Sequence, residues 1–330
     1  MASSTWSPSN TVAASARKVY RAVGFSKTYN FWLWFFLVGG LLGFTIRTLP
    51  YLDFHGVFCG ESTGGEDAAL PGECFYYLQP GRYQIGIILH LACILPAGLL
   101  ACVQFIPIAR RKAMWLHRIS GWVSVVLAGP GTVGTLMIVR RAMGGGIDTQ
   151  SMVGLLAIMF TVSLTLGVIN ARNHRIEQHR AWMLRAWVNA GAIITMRLII
   201  GISVIVLSMA GGYYTVQPCE KVSFILGGED ATLASYPECA PFFSGEDPNR
   251  HIAVLANVLD NNKVEVASAI NLVFGMCGWV AIFIHVFGVE VYLRLTSTKR
   301  NTVSRATGIK QPVPLNSKSE ENGTALKKVE

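Results

Sequence analysis

Charged residues are scarce in this chain. Of its 330 residues only 14% are Asp, Glu, Lys or Arg, whereas 52% are hydrophobic, and the mean hydropathy is +0.42. This shortage excludes a soluble globular protein of this size, which needs more polar surface. The apolar residues form runs of the length that a helix needs to cross a bilayer, and a helix satisfies its own backbone groups in lipid. We therefore predict an all-α integral membrane protein with six transmembrane helices, near residues 31–49, 83–108, 119–139, 151–169, 182–209 and 264–293.

A signal-peptide core is also missing from the first residues. The opening MASSTWSPSN is polar, and the first apolar run begins at Phe31 and is too long for a cleaved signal. We expect this run to remain as a helix behind a cytosolic N-terminal segment, 1–30. The formal net charge of +9 would suit a nucleic-acid partner. In a membrane protein, basic residues on the cytosolic side explain such a charge, so no nucleic-acid partner is predicted.

Basic residues predict the orientation of the helices. Clusters of Lys and Arg lie before the first helix, between the second and third, between the fourth and fifth, and after the sixth. With six helices all four clusters share one side, which the positive-inside rule makes cytosolic. Arg140 and Arg141 oppose this assignment. The prediction is a membrane domain over 31–296, in contact with the lipid bilayer, with both termini cytosolic and two long lumenal loops, 51–82 and 210–263.

Four of the seven cysteines fall in the two predicted lumenal loops. The first loop contains CGESTGGEDAALPGEC and the second CEKVSFILGGEDATLASYPEC, so both run from Cys through GGEDA to Glu-Cys. An oxidising lumen favours disulfides, and we predict one bridge within each loop, with pairing between the loops left open. The bridged loops are either solvated caps or lids that lower an acidic group onto a pocket. The four residues are Cys59, Cys74, Cys219 and Cys239.

The C-terminal segment 297–330 is polar, with Pro, Ser, Lys and Glu, and is predicted to be a disordered cytosolic tail. Its last residues include Lys327 and Lys328, which resemble a dilysine signal for retrieval to the endoplasmic reticulum. Such a signal must face the cytosol, where the predicted topology places it. We therefore expect a multi-pass protein of the endoplasmic reticulum membrane, with a chance basic pair as the alternative.

Ionisable side chains inside a transmembrane helix are costly and are candidates for function. His90 lies in the lumenal half of the second helix, Arg197 near the middle of the fifth, and His285 in the cytosolic half of the sixth. Arg197 has two interpretations: it bonds helix carbonyls, Gln104 or Asn271, or it binds an anionic or strongly hydrogen-bonding ligand group. His90 is either a hydrogen bond between helices or a ligand. No carboxyl group lies deep in a helix, and the acids at the lumenal rim are Asp53, Asp260 and Glu265.

Three His-Arg pairs stand at the edges of apolar runs and begin at His117, His174 and His179. They lie at predicted cytosolic helix ends, where Arg meets lipid head groups and His caps or anchors a helix, so we interpret them as structural. As an alternative, His117 and His179 begin the third and fifth helices on the same side and could ligate one haem b, similar in outline to the cytochrome b561 group. His90 has no histidine at its own depth, so a two-haem path is incomplete.

Stretches between His90 and Arg197 resemble a known family. ILHLACILPAGLLACVQFIP, LHRISGWVSVV, HRAWMLRAW and ITMRLI are similar to the core of the DUF2306 type of integral membrane proteins. The first and last helices, the long loops and the tail resemble the fungal branch of that family. Some members of this branch resemble membrane-bound terpene cyclases of meroterpenoid pathways, of the ascofuranone and macrophorin type. The resemblance implies a helical membrane bundle and cyclisation chemistry, and it carries over no catalytic residue.

Cyclisation of a prenylated aromatic or its epoxide needs an acid, a dry cavity and aromatic faces that steady a carbocation. Arg197 could hold the head group of such a lipophilic substrate. Neither loop has the ligand spacing of a calcium site, and we predict no metal and no cofactor for this chemistry. A non-catalytic transporter or scaffold is a further alternative, although no inverted helix repeat and no broken helix pair is visible. The candidate proton donors are Asp53, Asp260, Glu265 and protonated His90.

Overall fold

The computed structural model describes residues 20–21, 23–25, 28–60 and 68–306, with side chains as far as residue 296. Within these residues the chain is mostly helical. Short 3-10 or π turns supplement the helices at Leu49–Leu52, Phe54–Phe58, Ala142–Gly145 and Pro237–Cys239. The helices are α1 (Thr28–Thr48), α2 (Cys74–Tyr77), α3 (Arg82–Gln104), α4 (Pro107–Lys112), α5 (Met114–Ile138), α6 (Ile147–Arg172), α7 (Ile176–Ala190), α8 (Ala192–Ala210), α9 (Cys219–Leu226), α10 (Glu229–Ser235), α11 (Ala240–Phe243) and α12 (Lys263–Ala306).

Six helical segments of the described chain are long and apolar enough to cross a membrane, as predicted. Helices α7 and α8 together make one of them, because the Gly191 N–H donates to the carbonyl of Trp187 at 3.0 Å and carries the helix across their junction. The segments are Thr28–Leu52, Arg82–Gln104, Met114–Ile138, Ile147–Arg172, Ile176–Ala210 and Lys263–Thr296.

Glycines bring α3 and α5 into close contact. A Cβ atom added at Gly134 would lie 2.6 Å from the carbonyl oxygen of Gly86 and 2.7 Å from the backbone nitrogen of His90. A Cβ added at Gly131 would lie 2.7 Å from Ile94 Cγ1. Small residues allow this approach of two membrane helices, where dispersion contacts rather than water drive packing. The contact sets His90 directly against the backbone of α5.

The two predicted disulfides are confirmed, each within its own loop. Cys59 and Cys74 are bridged at 2.02 Å, and Cys219 and Cys239 at 2.01 Å. Because each bridge closes inside one loop, the alternative of pairing between the loops is wrong.

The expectation of an all-α fold is wrong in one place. Tyr214–Pro218 (β1) and His251–Leu255 (β2) pair as a two-stranded antiparallel sheet in the second loop, with Val216 opposite Ala253. Ile252 and Val254 alternate with exposed residues along β2 and pack with buried Val222 beside the second disulfide. This alternation suits a half-buried strand, and the long loop therefore folds into a small bridged subdomain.

The chain divides into two units, Met1–Val286 and Phe287–Glu330. In the second unit, as far as it is described, the chain continues the helix α12 to Ala306. This helix passes residue 297, where the tail was predicted to begin, because the stretch TSTKRNTVSRA contains no Pro or Gly to end it. The predicted retrieval signal, Lys327 and Lys328, lies outside the described residues.

Candidate functional site

His90 and Arg197 are near enough to interact electrostatically. Nδ1 of His90 lies 2.9 Å from the carbonyl oxygen of Gly131 and 2.7 Å from the hydroxyl of Thr135, both on α5. The backbone contact at Gly134 places the imidazole there. His90 therefore joins α3 to α5 through hydrogen bonds, and the charge of Arg197 acts on its imidazole.

Arg197 belongs to α8. Its side chain is exposed on the surface of the bundle and contacts α1. Its guanidinium carbon is 5.2 Å from the ring centroid of Phe44, and it interacts electrostatically with Tyr51. Gln104, one of its predicted partners, instead donates to the carbonyl of His117 at 3.0 Å and to Ser120 Oγ at 2.5 Å. The guanidinium thus has an aromatic environment rather than the predicted amide partner.

His285 has a structural role, because it connects helices through hydrogen bonds. Its two ring nitrogens contact the carbonyl oxygen of Val188 at 2.5 Å and the hydroxyl of Thr195 at 2.7 Å. These partners stand on either side of the α7–α8 junction, so the imidazole joins both helices to α12. With both nitrogens engaged, His285 offers no ring atom for catalysis or ligation.

The three predicted rim acids are dispersed. Asp53 is exposed and accepts the N–H of Gly56 at 2.9 Å, so it caps the turn that follows α1. Asp260 accepts the side-chain amide of Asn257 at 2.5 Å, and Glu265 lies 3.4 Å from the amide of Asn262. In the part of the chain that the structure describes, none of these carboxyl groups bonds to His90 or Arg197. The structure therefore does not bring the predicted donors together with the intramembrane pair.

Sequence reasoning missed a buried carboxyl group, that of Glu73. Its side chain is 3% exposed. The N–H of Met143 donates to both carboxylate oxygens, at 3.0 and 3.1 Å, and the hydroxyl of Tyr77 donates at 3.0 Å. Met143 has a φ of 50°, a left-handed conformation that is rare for a side chain of this size. A segment between α5 and α6 is thus held in an unfavourable backbone shape while it donates to Glu73.

A buried lysine from the second loop faces Glu73. Lys221 is 2% exposed, and its charge acts on the carboxyl group. Gly72, at a φ of 80°, makes room for it, because an added Cβ would lie 2.5 Å from Lys221 Cε. Lys221 Nζ is 5.6 Å from the ring centroid of Tyr76, and Arg141 Cζ is 4.9 Å from the same centroid. This contact gives a structural reason for Arg141, one of the two arginines that oppose the predicted orientation.

We call Glu73, Tyr76, Tyr77, Arg141 and Lys221 the Glu73 cluster. Burial raises the pKa of Glu73, and the charge of Lys221 opposes that shift without cancelling it. Burial, and then the Glu73 carboxylate, raise the pKa of Tyr77 well above its usual value. Burial lowers the pKa of Lys221. Burial therefore favours the protonated form of Glu73 more than water favours that of a solvated carboxyl group.

An aromatic layer links the Glu73 cluster to Arg197. The ring centroids of Phe58 and Tyr77 are 6.3 Å apart, and those of Tyr51 and Phe58 are 5.4 Å apart. Tyr51 is also the electrostatic neighbour of Arg197. Phe54 completes the layer, in one hydrophobic core with the first disulfide. Ring faces of this kind attract cations.

The pattern that the two loops share contained a signal for Glu73, since both copies end in Glu-Cys. The second copy of this acid, Glu238, is exposed, and its backbone carbonyl accepts a bond from the Arg250 guanidinium at 3.3 Å. The two positions look alike in sequence and differ in burial, because only Glu73 meets the segment that follows α5.

The residues proposed for haem also lie close together. His117 and His179 interact electrostatically, and His179 Nδ1 donates to the carbonyl of Gly167 at 2.9 Å. A hydrogen bond of this kind orients a ligating imidazole as well as a purely structural one. Among the described residues no group of three or more His, Cys, Asp or Glu side chains could hold a metal ion. Haem binding by the histidine pair stays a prediction.

Comparison with known proteins agrees with the membrane architecture. Residues 87–218 match the model of a family described as "Predicted membrane protein (DUF2306)". The chain is also 25% identical over 316 residues to the "Ava biosynthesis cluster protein G" of Aspergillus versicolor, an alignment that covers 83% of this chain and 90% of that protein. No solved structure matches. The likeness to the DUF2306 membrane proteins that was predicted from the stretches between His90 and Arg197 is thereby confirmed.

Proposed function

We propose that this chain is a membrane-bound terpene cyclase of fungal secondary metabolism, which closes a ring on a prenylated aromatic or its epoxide. Two findings support the setting: the chain is a multi-pass membrane protein, and a relative of similar length belongs to a fungal biosynthesis cluster. The observation that carries the proposal is Glu73, a buried carboxyl group with a raised pKa beside an aromatic layer. It supplies the acid that the rim residues do not.

The proposed reaction is an isomerisation. Glu73 donates its proton to the epoxide oxygen, a C–O bond breaks, and a carbocation forms. A double bond of the prenyl chain attacks this cation and forms the ring bond, and the product cation then loses a proton that restores the acid. The aromatic faces of Tyr51, Phe54 and Phe58 steady the positive charge. No oxidant or reductant enters this balance.

Arg197 has the chemistry to hold the head group of the substrate. It stands beside Tyr51 at the end of the aromatic layer away from Glu73. A guanidinium binds a phenol or carbonyl oxygen through directed N–H donors. Its position on the bundle surface, next to Phe44, suits a substrate that arrives from the bilayer.

The test uses microsomes that contain the protein and a farnesylated phenol epoxide. Wild-type protein should convert the epoxide to a ring, and Glu73→Gln should remove this activity. The amide keeps the shape of the side chain, and its oxygen can still accept the N–H of Met143, but it donates no acidic proton. Glu238→Gln is the matched control from the second loop. Absence of product with the wild-type protein would reject the cyclase, whereas product from Glu73→Gln would reject Glu73 as the donor.

We also propose that the bridged loops lie in the lumen of the endoplasmic reticulum, with Lys327 and Lys328 as the retrieval signal. Replacing both lysines with serine should move the protein out of the endoplasmic reticulum in fluorescence microscopy. An unchanged distribution would reject the signal.

The proximity of His117 and His179 favours a second candidate, a b-type haem protein. Purified protein should then show a Soret band that His179→Ala removes. A colourless preparation from cells supplied with haem rejects this candidate.

A further inference from the structure

A groove between α5 and α6 lies apart from the Glu73 cluster and from Arg197. Its volume is about 280 Å³. Several residues that line it are exposed on the outer face of the bundle, including Trp122 at 48% and Ile169 at 46%. The groove therefore opens toward the surroundings of the helices. The lining residues used below are Trp122, Gly129 and Thr132 of α5 and Thr161, Thr165 and Ile169 of α6.

The interior of the groove suits hydrocarbon. The hydroxyl of Thr132 donates to the carbonyl of Ala128 at 2.8 Å, and that of Thr165 donates to the carbonyl of Thr161 at 2.8 Å. These hydroxyls are satisfied within their own helices, so they do not call for a polar ligand. Gly129 leaves open space, since an added Cβ would meet nothing within 4 Å. An unbranched apolar chain can lie along this surface without leaving the hydroxyl of Thr132 or Thr165 unpaired.

One end of the groove is positively charged. The guanidinium carbon of Arg172 is 5.3 Å from the ring centroid of Trp122. Arg118 precedes Trp122 by four residues and Arg172 follows Ile169 by three, so each arginine extends the groove face of its own helix. A Trp flanked by arginines at a helix end is typical of the membrane interface. The groove is thus apolar along its length and cationic at the predicted cytosolic end.

The length of the groove matches one leaflet. Trp122 and Thr132 mark its two ends on α5, a helical rise of about 15 Å. The hydrocarbon core of a bilayer is about 30 Å thick. A chain that enters beside Trp122 therefore reaches the bilayer midplane near Thr132.

We propose that this groove binds an anionic phospholipid, with one acyl chain along α5 and α6 and the phosphate on Arg118 and Arg172. Phosphate oxygens accept charge-assisted hydrogen bonds from guanidinium groups. The arginines lie where the head groups of that leaflet lie, whereas the acyl chain fills space that neither helix fills. This site does not depend on the cyclase activity.

The experiment is native mass spectrometry of the detergent-purified protein with added phosphatidylglycerol or phosphatidylcholine. Wild-type protein should retain one phosphatidylglycerol about tenfold more tightly than phosphatidylcholine. Gly129→Leu should abolish retention, since the new side chain fills the groove. Gly201→Leu is the matched control, because Gly201 is exposed on α8 and also has open space around its Cβ. The double variant Arg118→Gln/Arg172→Gln should keep binding but lose the preference for phosphatidylglycerol.

Equal retention of the two lipids, or equal loss in both leucine variants, would overturn the proposal. Gly129→Ala, which leaves most of the space open, should retain the lipid and shows that loss in the leucine variant comes from filling. Farnesyl diphosphate that displaces phosphatidylglycerol at equal concentration would assign the groove to an isoprenoid instead. A dimer that Gly129→Leu dissociates would assign it to a second copy of the chain.

Discussion

Lys221→Met tests whether Glu73 and Lys221 form a coupled acid–base pair. Methionine keeps much of the apolar stem of Lys221 and removes its charge. Removing one partner of a buried charged pair typically costs about 3 to 5 kcal/mol of unfolding free energy, because the other charge is left without compensation. Glu73 is 3% exposed and would be that charge. It can escape the penalty by binding a proton, so we expect the cost to depend on pH.

The sign of this dependence follows from the pKa of Glu73. Burial raises it, and loss of the Lys221 charge raises it further. A carboxyl group whose pKa is raised on folding contributes stability below its unfolded pKa, and that contribution is lost as the pH rises through the folded pKa. Stability of Lys221→Met should therefore fall between about pH 5 and about pH 8, more steeply than that of the wild type. The double variant Glu73→Gln/Lys221→Met should recover most of the loss.

The assay is unfolding in detergent at both pH values, for wild type, the two single variants and the double variant. Lys263→Met, which removes an exposed lysine at the start of α12, is the control and should change stability little. A coupling free energy below about 0.5 kcal/mol at the higher pH would refute the pair, since that is the scatter expected of independent sites.

Three further predictions test other parts of the structure. Gly134→Ala should destabilise the protein by about 1 to 3 kcal/mol in thermal unfolding, because the new Cβ meets the backbone of α3; Gly129→Ala, in open space on the same helix, should not, and equal effects would refute the close contact. Arg197→Ala should abolish turnover of the farnesylated phenol epoxide with an unchanged amount of folded protein, and normal turnover would remove Arg197 from the site. A maleimide should label the loop cysteines only after reduction, and labelling without it would refute the bridges at Cys59, Cys74, Cys219 and Cys239.

The membrane helices and the bridges were predictable because their signals are local or repeated. Runs of apolar residues need no tertiary information to be recognised. The repeated Cys-to-Glu-Cys pattern paired each cysteine with a partner in its own loop. The small sheet was harder, because Tyr214–Pro218 and His251–Leu255 are separated by the helices of the second loop.

The candidate site could not be predicted in the same way. Glu73 is buried only because the segment at Met143 and the side chain of Lys221, distant in sequence, converge on it. Asp53 looked equally suitable in sequence, but it caps an exposed turn. Arg197 was identified because an arginine inside an apolar run is costly wherever the chain folds.

The rate of ring closure by Glu73→Gln, relative to wild type and Glu238→Gln, tests the central claim most directly. A positioned general acid contributes about 10² to 10⁴-fold to a rate. We predict a loss of at least about a hundredfold for Glu73→Gln and an unchanged rate for Glu238→Gln. A Glu73→Gln protein that forms the ring at the wild-type rate would contradict the assignment of Glu73 as the proton donor.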